Sequence, residues 1–536
     1  MEFNLADLFE NAVDHYGEKE ALVANGKRRT YAEIEERANR LAHHLAEHGV
    51  KPGDHVGIYA LNCVEWVETL WAVFKIRAVW ININYRYVED ELRYIFDNAD
   101  LNAIVYQRTY APRVAAVRDC MPTSTHFVMI EDESGADPSG LDAFDYEAAL
   151  ASGSPERDFG PRSGDDRYVL YTGGTTGLPK GVVWRQEDVF FALGGGIDAQ
   201  SGWKAQKPEE MAPRGEAPGP TVYFSIAPLM HGATQWSVMS RSIIGHKNVL
   251  IDKFDPMDVW RLCEAEGVQA LMITGDAMGR PLIEALEAAE NPPDTSSLFL
   301  ITSTAAVFSP TVKDDFFRHF PNLLIVDGVG ASEAGNNGMR LSTAGQTTQL
   351  GGGPTFKPGE GTVVLGENGM PLEPGSDAIG KIARSGHIPL EYYKDEKKSA
   401  EVFFKGADGK RYSVPGDFAQ VEEDGSITLL GRGSVSINSG GEKIYPEEVE
   451  QAIKSHPSAF DAVVVGVPDE RFGSRVAAVV ELRPGTQLSL EGLQEHCRQH
   501  IAGYKIPREL HEVDKIERSP AGKPDYRWAK QVATGE

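Results

Sequence analysis

Thr172-Gly-Gly-Thr-Thr-Gly-Leu-Pro-Lys180 sets glycines (Gly173, Gly174, Gly177) among hydroxyls (Thr172, Thr175, Thr176) and ends on a cation, Lys180. Glycine has no Cβ, so backbone N–H groups can turn inward and several donors can converge on an oxyanion cluster. The apolar run Tyr168-Val-Leu-Tyr171 predicts a strand entering the loop, and Val182-Val183-Trp184 predicts one leaving it. In a Walker A loop, by contrast, Gly-Lys-Ser/Thr opens a helix and the hydroxyl meets magnesium. Here Pro179 precedes the lysine and Gly181 follows it, which argues against a P-loop kinase or ATPase. A solvated turn is the plain alternative, but a turn needs fewer glycines and hydroxyls than this loop supplies. Polyphosphate binding is the expectation.

The elements that must hold such a loop follow from the hydrophobic period. Residues 5–48 predict helix, with Leu5, Leu8, Phe9 and Val13, then Ile34, Ala38, Leu41 and Leu45, at helical spacing. Residues 55–60 and 102–106 predict buried strands, separated by helical patterns around 63–77 and 88–97. That alternation indicates α/β layering with parallel strands. A second cycle places strands at 221–225, 248–251, 270–273, 298–301 and 323–326. Residues 201–220, with Trp203, several prolines and charges, predict a mobile surface insertion. From about 346 to 424 short strands (361–365, 380–384, 418–421) in glycine- and proline-rich chain predict a small β-rich subdomain. Pro446 followed by Glu447 and Glu448 is a helix start. Strands at 462–466 and 475–480 and a helix over 488–501 complete a compact α+β unit, joined at residues 430–434.

Length and composition bound the rest. A chain of 536 residues exceeds what one core fills, so at least two domains are expected. Hydrophobic residues at 41% and charged residues at 25% are ordinary for a globular protein. The formal net charge of −26 disfavours nucleic acid and anionic membrane as partners, and any nucleotide site must build positive potential locally. Cys63, Cys120, Cys263 and Cys497 are scattered, which suggests neither a disulfide framework nor a zinc site. The N-terminal residues lack a basic n-region, and no run of 18 apolar residues exists. A cytoplasmic protein with no transmembrane segment is expected.

Six groups of residues, the loop among them, carry the functional reading in order along the chain. They are Thr172 to Lys180; Pro228-Leu-Met-His231-Gly232; Asp327-Gly-Val-Gly-Ala-Ser-Glu333; Ser413-Val-Pro-Gly-Asp417; Gly431-Arg432 with Ser439-Gly-Gly441 beyond it; and Pro520-Ala-Gly-Lys523. Together they resemble, from the first helix to Lys523, the adenylate-forming (ANL) superfamily of acyl-CoA synthetases, adenylation domains and firefly-type luciferases. The run from Val183 to Gly194 and the hinge from Gly431 to Glu450 are similar to the bacterial branch that activates steroid side-chain carboxylates and related fatty acids.

The resemblance implies an α/β fold: a large N-terminal domain of layered α/β subdomains with a small β-rich subdomain (1–431), a hinge (432–434) and a mobile α+β C-terminal domain (435–536). It implies ATP, Mg2+ and coenzyme A, with a carboxylic acid as the small-molecule substrate and a homodimer as an admissible state. The loop donors Thr172, Gly173, Gly174, Thr175, Thr176, Gly177 and Lys180 would meet the phosphates. Gly328, Val329 and Ser332 would lie at the adenine. Glu333 is the implied magnesium ligand, with Thr175, because a hard cation takes hard oxygen. Asp417 would accept both ribose hydroxyls and Arg432 would donate to the same ribose. Lys523 would bridge carboxylate and α-phosphate as the first bond forms. His231 would gate or position the acyl carboxylate. Gly440 and Gly441 would line a tunnel for the pantetheine thiol after the small domain has rotated.

The chain also departs from the family pattern. Val329 and Ser332 stand where Tyr and Thr are common, Pro415 replaces a Thr before Gly416-Asp417, and Ser434 takes the hinge place of Asp or Lys. An acid pocket is expected around 231–240 (Thr234, Gln235, Trp236, Met239), 274–282 and 303–309, whose small and apolar residues favour a bulky hydrophobic acid over acetate. A ligase loading a carrier protein, a luciferase-like oxygenase and a noncatalytic ATP sensor are the competing readings. A pure sensor has no use for Lys523.

Overall fold

Asn4 and Thr30 open the first two helices. The Asn4 side chain accepts from Ala6 N–H ahead of Leu5–Tyr16. Thr30 and Glu33 form a reciprocal capping box ahead of Tyr31–Glu47. Between the two helices the helical expectation for 5–48 fails, because Glu20–Ala24 and Lys27–Thr30 pair as an antiparallel hairpin. Its two-residue turn is Asn25-Gly26, with Ala24 opposite Lys27. Both turn residues have positive φ, 50° and 78°, as a turn matched to strand twist requires.

The computed structural model describes residues 2–535 except 175–176, 199–200, 346–353, 433–434, 440–441, 470–472 and 519–522. The chain divides into two compact units. The first comprises Met1–Ile273, Ala288–Leu300 and His387–Phe403; the second comprises Thr274–Glu287, Ile301–Gly386 and Phe404–Glu536.

The first unit is α/β. In one of its sheets Glu20–Ala24, Lys247–Leu250, Val222–Ser225 and Ala270–Ile273 run parallel in that order. The other orders Glu391–Tyr392, Gly177–Arg185, Arg167–Gly174, Val79–Asn82, His55–Tyr59, Leu101–Gln107, His126–Ile130 and Ala143–Asp145. Its strands are parallel except Gly177–Arg185, which runs antiparallel to both its neighbours. Trp66, Trp71, Trp80 and Trp184 are fully buried within the unit. Burial of this kind explains why the strands read as near-continuous apolar runs.

Residues 201–220 are not a mobile insertion. Pro208–Glu210 and Ala212–Glu216 are short 3-10 turns with Pro208, Met211 and Ala212 buried. The Tyr16 hydroxyl donates to the Ala212 carbonyl at 2.7 Å. The Arg214 guanidinium lies 3.8 Å from the Trp203 ring centroid and pairs with Asp198 at 2.9 Å. The tryptophan and the apolar turn residues give this segment a surface to bury, and that outweighs its charge.

The second unit contains a β-rich part and an α+β part. Leu324–Ala331 and Gly335–Ser342 form a hairpin, followed across the sheet by Thr355–Pro358, Ile427–Arg432, Asp417–Val421 and Gly380–Ser385. The α+β part is a sheet of Ala459–Asp469, Gly473–Leu482 and Glu509–Val513. Alternation divides its first strand cleanly. Ala462 and Val464 join Val449, Ile453 and Leu493 of two helices in one core, whereas Val463, Val465 and Val467 join Ala529 of Tyr526–Thr534 in another. Among the described residues no helix is long and apolar enough to cross a membrane. The four cysteines are unpaired thiols, as expected.

Candidate active site

The phosphate-loop residues stand at the closed end of a two-stranded ribbon in the first unit. Thr172 lies opposite Lys180 and Gly174 opposite Gly177, so the loop joins two antiparallel strands as expected; Thr175 and Thr176 lie outside the described residues. Asn82, 3% exposed, fixes the incoming strand. Its Oδ1 accepts from Tyr171 N–H at 2.8 Å, and its amide donates to Tyr171 O at 2.9 Å and Met230 O at 2.7 Å. One buried side chain thereby ties the phosphate strand to the residue before His231. A lone Asn among apolar strand residues is the only trace of this tie in the sequence, and the motifs do not contain it.

Gly181 is required for close approach, since a Cβ there would lie 2.9 Å from both the Tyr171 ring and Val169. Tyr94 donates to Pro179 O at 3.1 Å, and Tyr393 N–H donates to Gly181 O at 2.7 Å. The Lys180 ammonium is ion-paired with Asp395. That contact holds the Asp395 carboxyl below the usual carboxylate range. The loop's cation therefore already has an anion, and a phosphate would have to compete with it.

His231 occupies the N-cap position of Gly232–Ile243. A Cβ on Gly232 would lie 2.5 Å from Leu170, so glycine there lets the helix start approach the phosphate strand. The residues expected to line an acid pocket are all buried: Thr234, Gln235, Trp236 and Met239 are 0–3% exposed. Gln235 Oε1 accepts from Tyr168 Oη at 2.7 Å and Trp80 Nε1 at 3.2 Å. Trp236 meets Tyr168 edge-on at 5.4 Å. Gln235, Trp236 and Met239 thus hold the helix against the core of this unit.

The other predicted residues fall in the second unit. Gly328 and Val329 lie on the strand Leu324–Ala331, opposite Met339 and Gly338. Val329 packs against the cluster containing Phe356 and Val364, which accounts for an aliphatic residue where the family has Tyr. Ser332 and Glu333 are half-buried in the turn that closes this hairpin. Ser413, fully buried, donates its hydroxyl to Glu333 O at 2.5 Å. The turn carrying Glu333 and the Ser413-to-Asp417 segment are therefore joined directly. The sequence spaces them 80 residues apart and gives no sign of that bond.

Gly416, at φ +110°, adopts a backbone conformation that L side chains rarely take, just before Asp417 opens its strand. Asp417 and Arg432 are register partners across the antiparallel pair of their two strands. A Cβ on Gly431 would come within 2.2 Å of the Glu447 carboxylate, and φ is +116°. Behind the turn, Lys313 is ion-paired with Asp327, whose carboxyl burial pushes up against the lysine's opposing pull.

Lys523 is half-buried in a loop closed by a bridge between Arg518 and Pro524. Arg518 donates from Nε and its terminal nitrogen to the two oxygens of Asp461, at 2.7 and 2.6 Å. Burial alone would raise Asp461, but Arg518 outweighs it and the carboxyl is lowered. Asp525 then caps Tyr526–Thr534 through Arg527 and Trp528 N–H, at 3.0 Å each. Both ends of the lysine loop are therefore anchored. Gly440, Gly441 and hinge residues 433–434 lie outside the described residues.

Residues 9–393 match the AMP-binding enzyme model and residues 448–523 match the AMP-binding enzyme C-terminal domain. The chain is 53% identical over 535 residues to the 3-oxocholest-4-en-26-oate–CoA ligase of Rhodococcus rhodochrous, covering 99% of this chain and 96% of that one. It is 50% identical over 535 residues to the medium/long-chain-fatty-acid–CoA/3-oxocholest-4-en-26-oate–CoA ligase of Mycolicibacterium smegmatis, covering 99% and 97%. The fold matches the crystal structure of the anthranilate–CoA ligase AuaEII in complex with anthranoyl-AMP, with a TM-score of 0.84 at 22% identity over 99% of this chain and 98% of that one. The chain belongs to the AMP-binding enzyme family and is an AMP-forming acid–thiol ligase with ATP and CoA as substrates.

Proposed function

We propose that this ligase joins a bulky hydrophobic acid, a steroid side-chain carboxylate or a medium- to long-chain fatty acid, to CoA in two steps. A carboxylate oxygen first attacks the α-phosphorus of ATP; the new O–P bond gives acyl-AMP, and pyrophosphate leaves. The CoA sulfur then attacks the acyl carbon, the C–S bond forms, the bond to AMP breaks, and the thiol proton passes to solvent. The support is the 53% identity, over 99% of the chain, to a 3-oxocholest-4-en-26-oate–CoA ligase.

The roles follow from residue chemistry. The backbone and hydroxyls of the 172–180 loop meet the phosphates, Asp417 and Arg432 hold the ribose, and the 328–332 strand end faces adenine. Lys523 stabilises charge between carboxylate and α-phosphate, and His231 positions the acid. The hard carboxylate of Glu333 on a half-buried turn fits magnesium, and with Thr175 it would hold that ion, which neutralises phosphate charge when bound. The boundaries 1–431, 432–434 and 435–536 describe a hinge about which Lys523 leaves and Gly440 and Gly441 arrive. The cytoplasm supplies ATP and CoA and keeps the four thiols reduced. A homodimer would leave this set of residues complete in each copy. The test is a panel of short, medium, long, aromatic and steroid acids with ATP and CoA, following AMP release. Steroid or longer fatty acids should give the highest kcat/KM. Preference for acetate or an aromatic acid would overturn the assignment.

A further inference from the structure

A three-histidine cluster in the first unit plays no part in the ligase chemistry. His44 and His48 stand four residues apart near the C-terminal end of Tyr31–Glu47, so they share a face of the helix. His126 opens the strand His126–Ile130. One nitrogen from each ring lies within 4.8 Å of one from each of the others. His44 is buried, His126 half-buried and His48 exposed, so the cluster has a packed side and an open side.

The hydrogen bonds fix which nitrogens carry lone pairs. Ser152 Oγ donates its only hydrogen to Ala149 O at 2.8 Å, so at 2.9 Å it can only accept from His44 Nδ1. His48 Nδ1 lies 2.7 Å from the His44 carbonyl, which also only accepts. Both rings in their neutral form therefore carry the proton on Nδ1 and present Nε2 as a lone pair. This is the arrangement in which metal-bound imidazoles are held by outer partners. His44 Nε2 lies 2.9 Å from His126 Nε2. Two nitrogens each about 2.0–2.1 Å from one zinc lie about 2.9 Å apart at a right angle and roughly 3.4 Å apart at the tetrahedral angle. The observed separation is that of an N–H···N hydrogen bond and of a right-angle ligand pair; tetrahedral ligation opens it by about 0.5 Å and draws the three ring nitrogens, now within 4.8 Å of one another, around one ion. Phe144 meets His44 and His48 edge-on at 5.0 and 4.7 Å and gives the site an apolar wall.

We propose that His44, His48 and His126 form a binding site for a divalent transition metal that prefers imidazole, with zinc as the ion of this class that best suits three neutral nitrogens and a water. Binding shifts the His126 proton from Nε2, where it is shared with His44 Nε2, to Nδ1, so the ring stays neutral and offers Nε2 to the ion. The bound metal pins the end of Tyr31–Glu47 to the start of His126–Ile130.

The full-length enzyme, treated with chelator and desalted, is dialysed against Zn2+ without ATP, and bound metal per chain is measured beside thermal unfolding. The wild type should take up one equivalent tightly and melt at a higher temperature with Zn2+ than without. His48→Ala alters an exposed position, so it should fold normally, lose the zinc-dependent rise and bind more than about 100-fold more weakly, exceeding the usual loss from an outer partner alone. His126→Gln should behave alike. If the wild type takes up no stoichiometric zinc, the cluster is only a stacked, hydrogen-bonded set of rings and the proposal falls. It also falls if zinc stays bound in both variants, as it would if held around His496, whose ring lies 5.0 Å from that of His456 and 4.7 Å from that of His500.

Discussion

Lys180 and Asp395 show how a single contact would set the cost of the proposed phosphate binding. In its proposed role the ammonium would exchange a carboxylate for a phosphate; the side chain is 37% exposed, so the pair is worth about 0.2–1 kcal/mol. Asp395→Asn keeps the cap on Glu396–Val402, since Asn caps as well as Asp. It should lower the KM for ATP by up to about fivefold with kcat little changed. An unchanged KM would show that the lysine does not meet ATP. The lysine itself was legible as a loop cation. Its partner, 215 residues away, was not, because no local pattern joins a strand pair to a distant helix cap. Asn82 was hidden for the same reason. A buried amide that completes three hydrogen bonds has no periodic signature.

At the scale of elements, the Arg518–Asp461 clamp ties the lysine loop to the edge of a valine-rich sheet. Both side chains are about 15% exposed, so removing one partner strands a buried charge. Asp461→Asn should destabilise the α+β part by about 3–5 kcal/mol and lower adenylation more than thiolysis. The folded carboxyl is depressed, so its stabilisation is complete above the unfolded value near 3.9 and disappears as pH falls through the lower folded value. Other depressed carboxylates such as Glu10 and Glu266 also lose their contribution there, so the wild-type melting temperature should drop more steeply across that acid window than the variant's. Equal acid sensitivity of both proteins would show that the pair does not stabilise the loop base. Strand and helix periods predicted most of these elements. The Asn25-Gly26 hairpin was a readable two-residue turn signal overridden by apolar residues at helical spacing on both sides of it. Residues 201–220 went astray because prolines and charges signal a loop whether or not it packs.

At the scale of the molecule, a chain with net charge −26 must accept a tetraanionic nucleotide, so positive groups have to be brought to it locally. Six motifs in family order made the class legible before any coordinates, since each belongs to one chemistry and their order restricts the fold. The acid was less legible, because a pocket is a matter of tertiary placement: Gln235, Trp236 and Met239 looked like lining and serve as core. The central claim is that one lysine, carried by the small domain, serves the first half-reaction and leaves for the second. ATP–pyrophosphate exchange and thioester formation from supplied acyl-adenylate, measured side by side in Lys523→Ala, test it most directly. Exchange should fall by at least about 10²–10³-fold, while thioester formation stays within a few-fold of wild type. Exchange at the wild-type rate, or an equal loss in both assays, would contradict it.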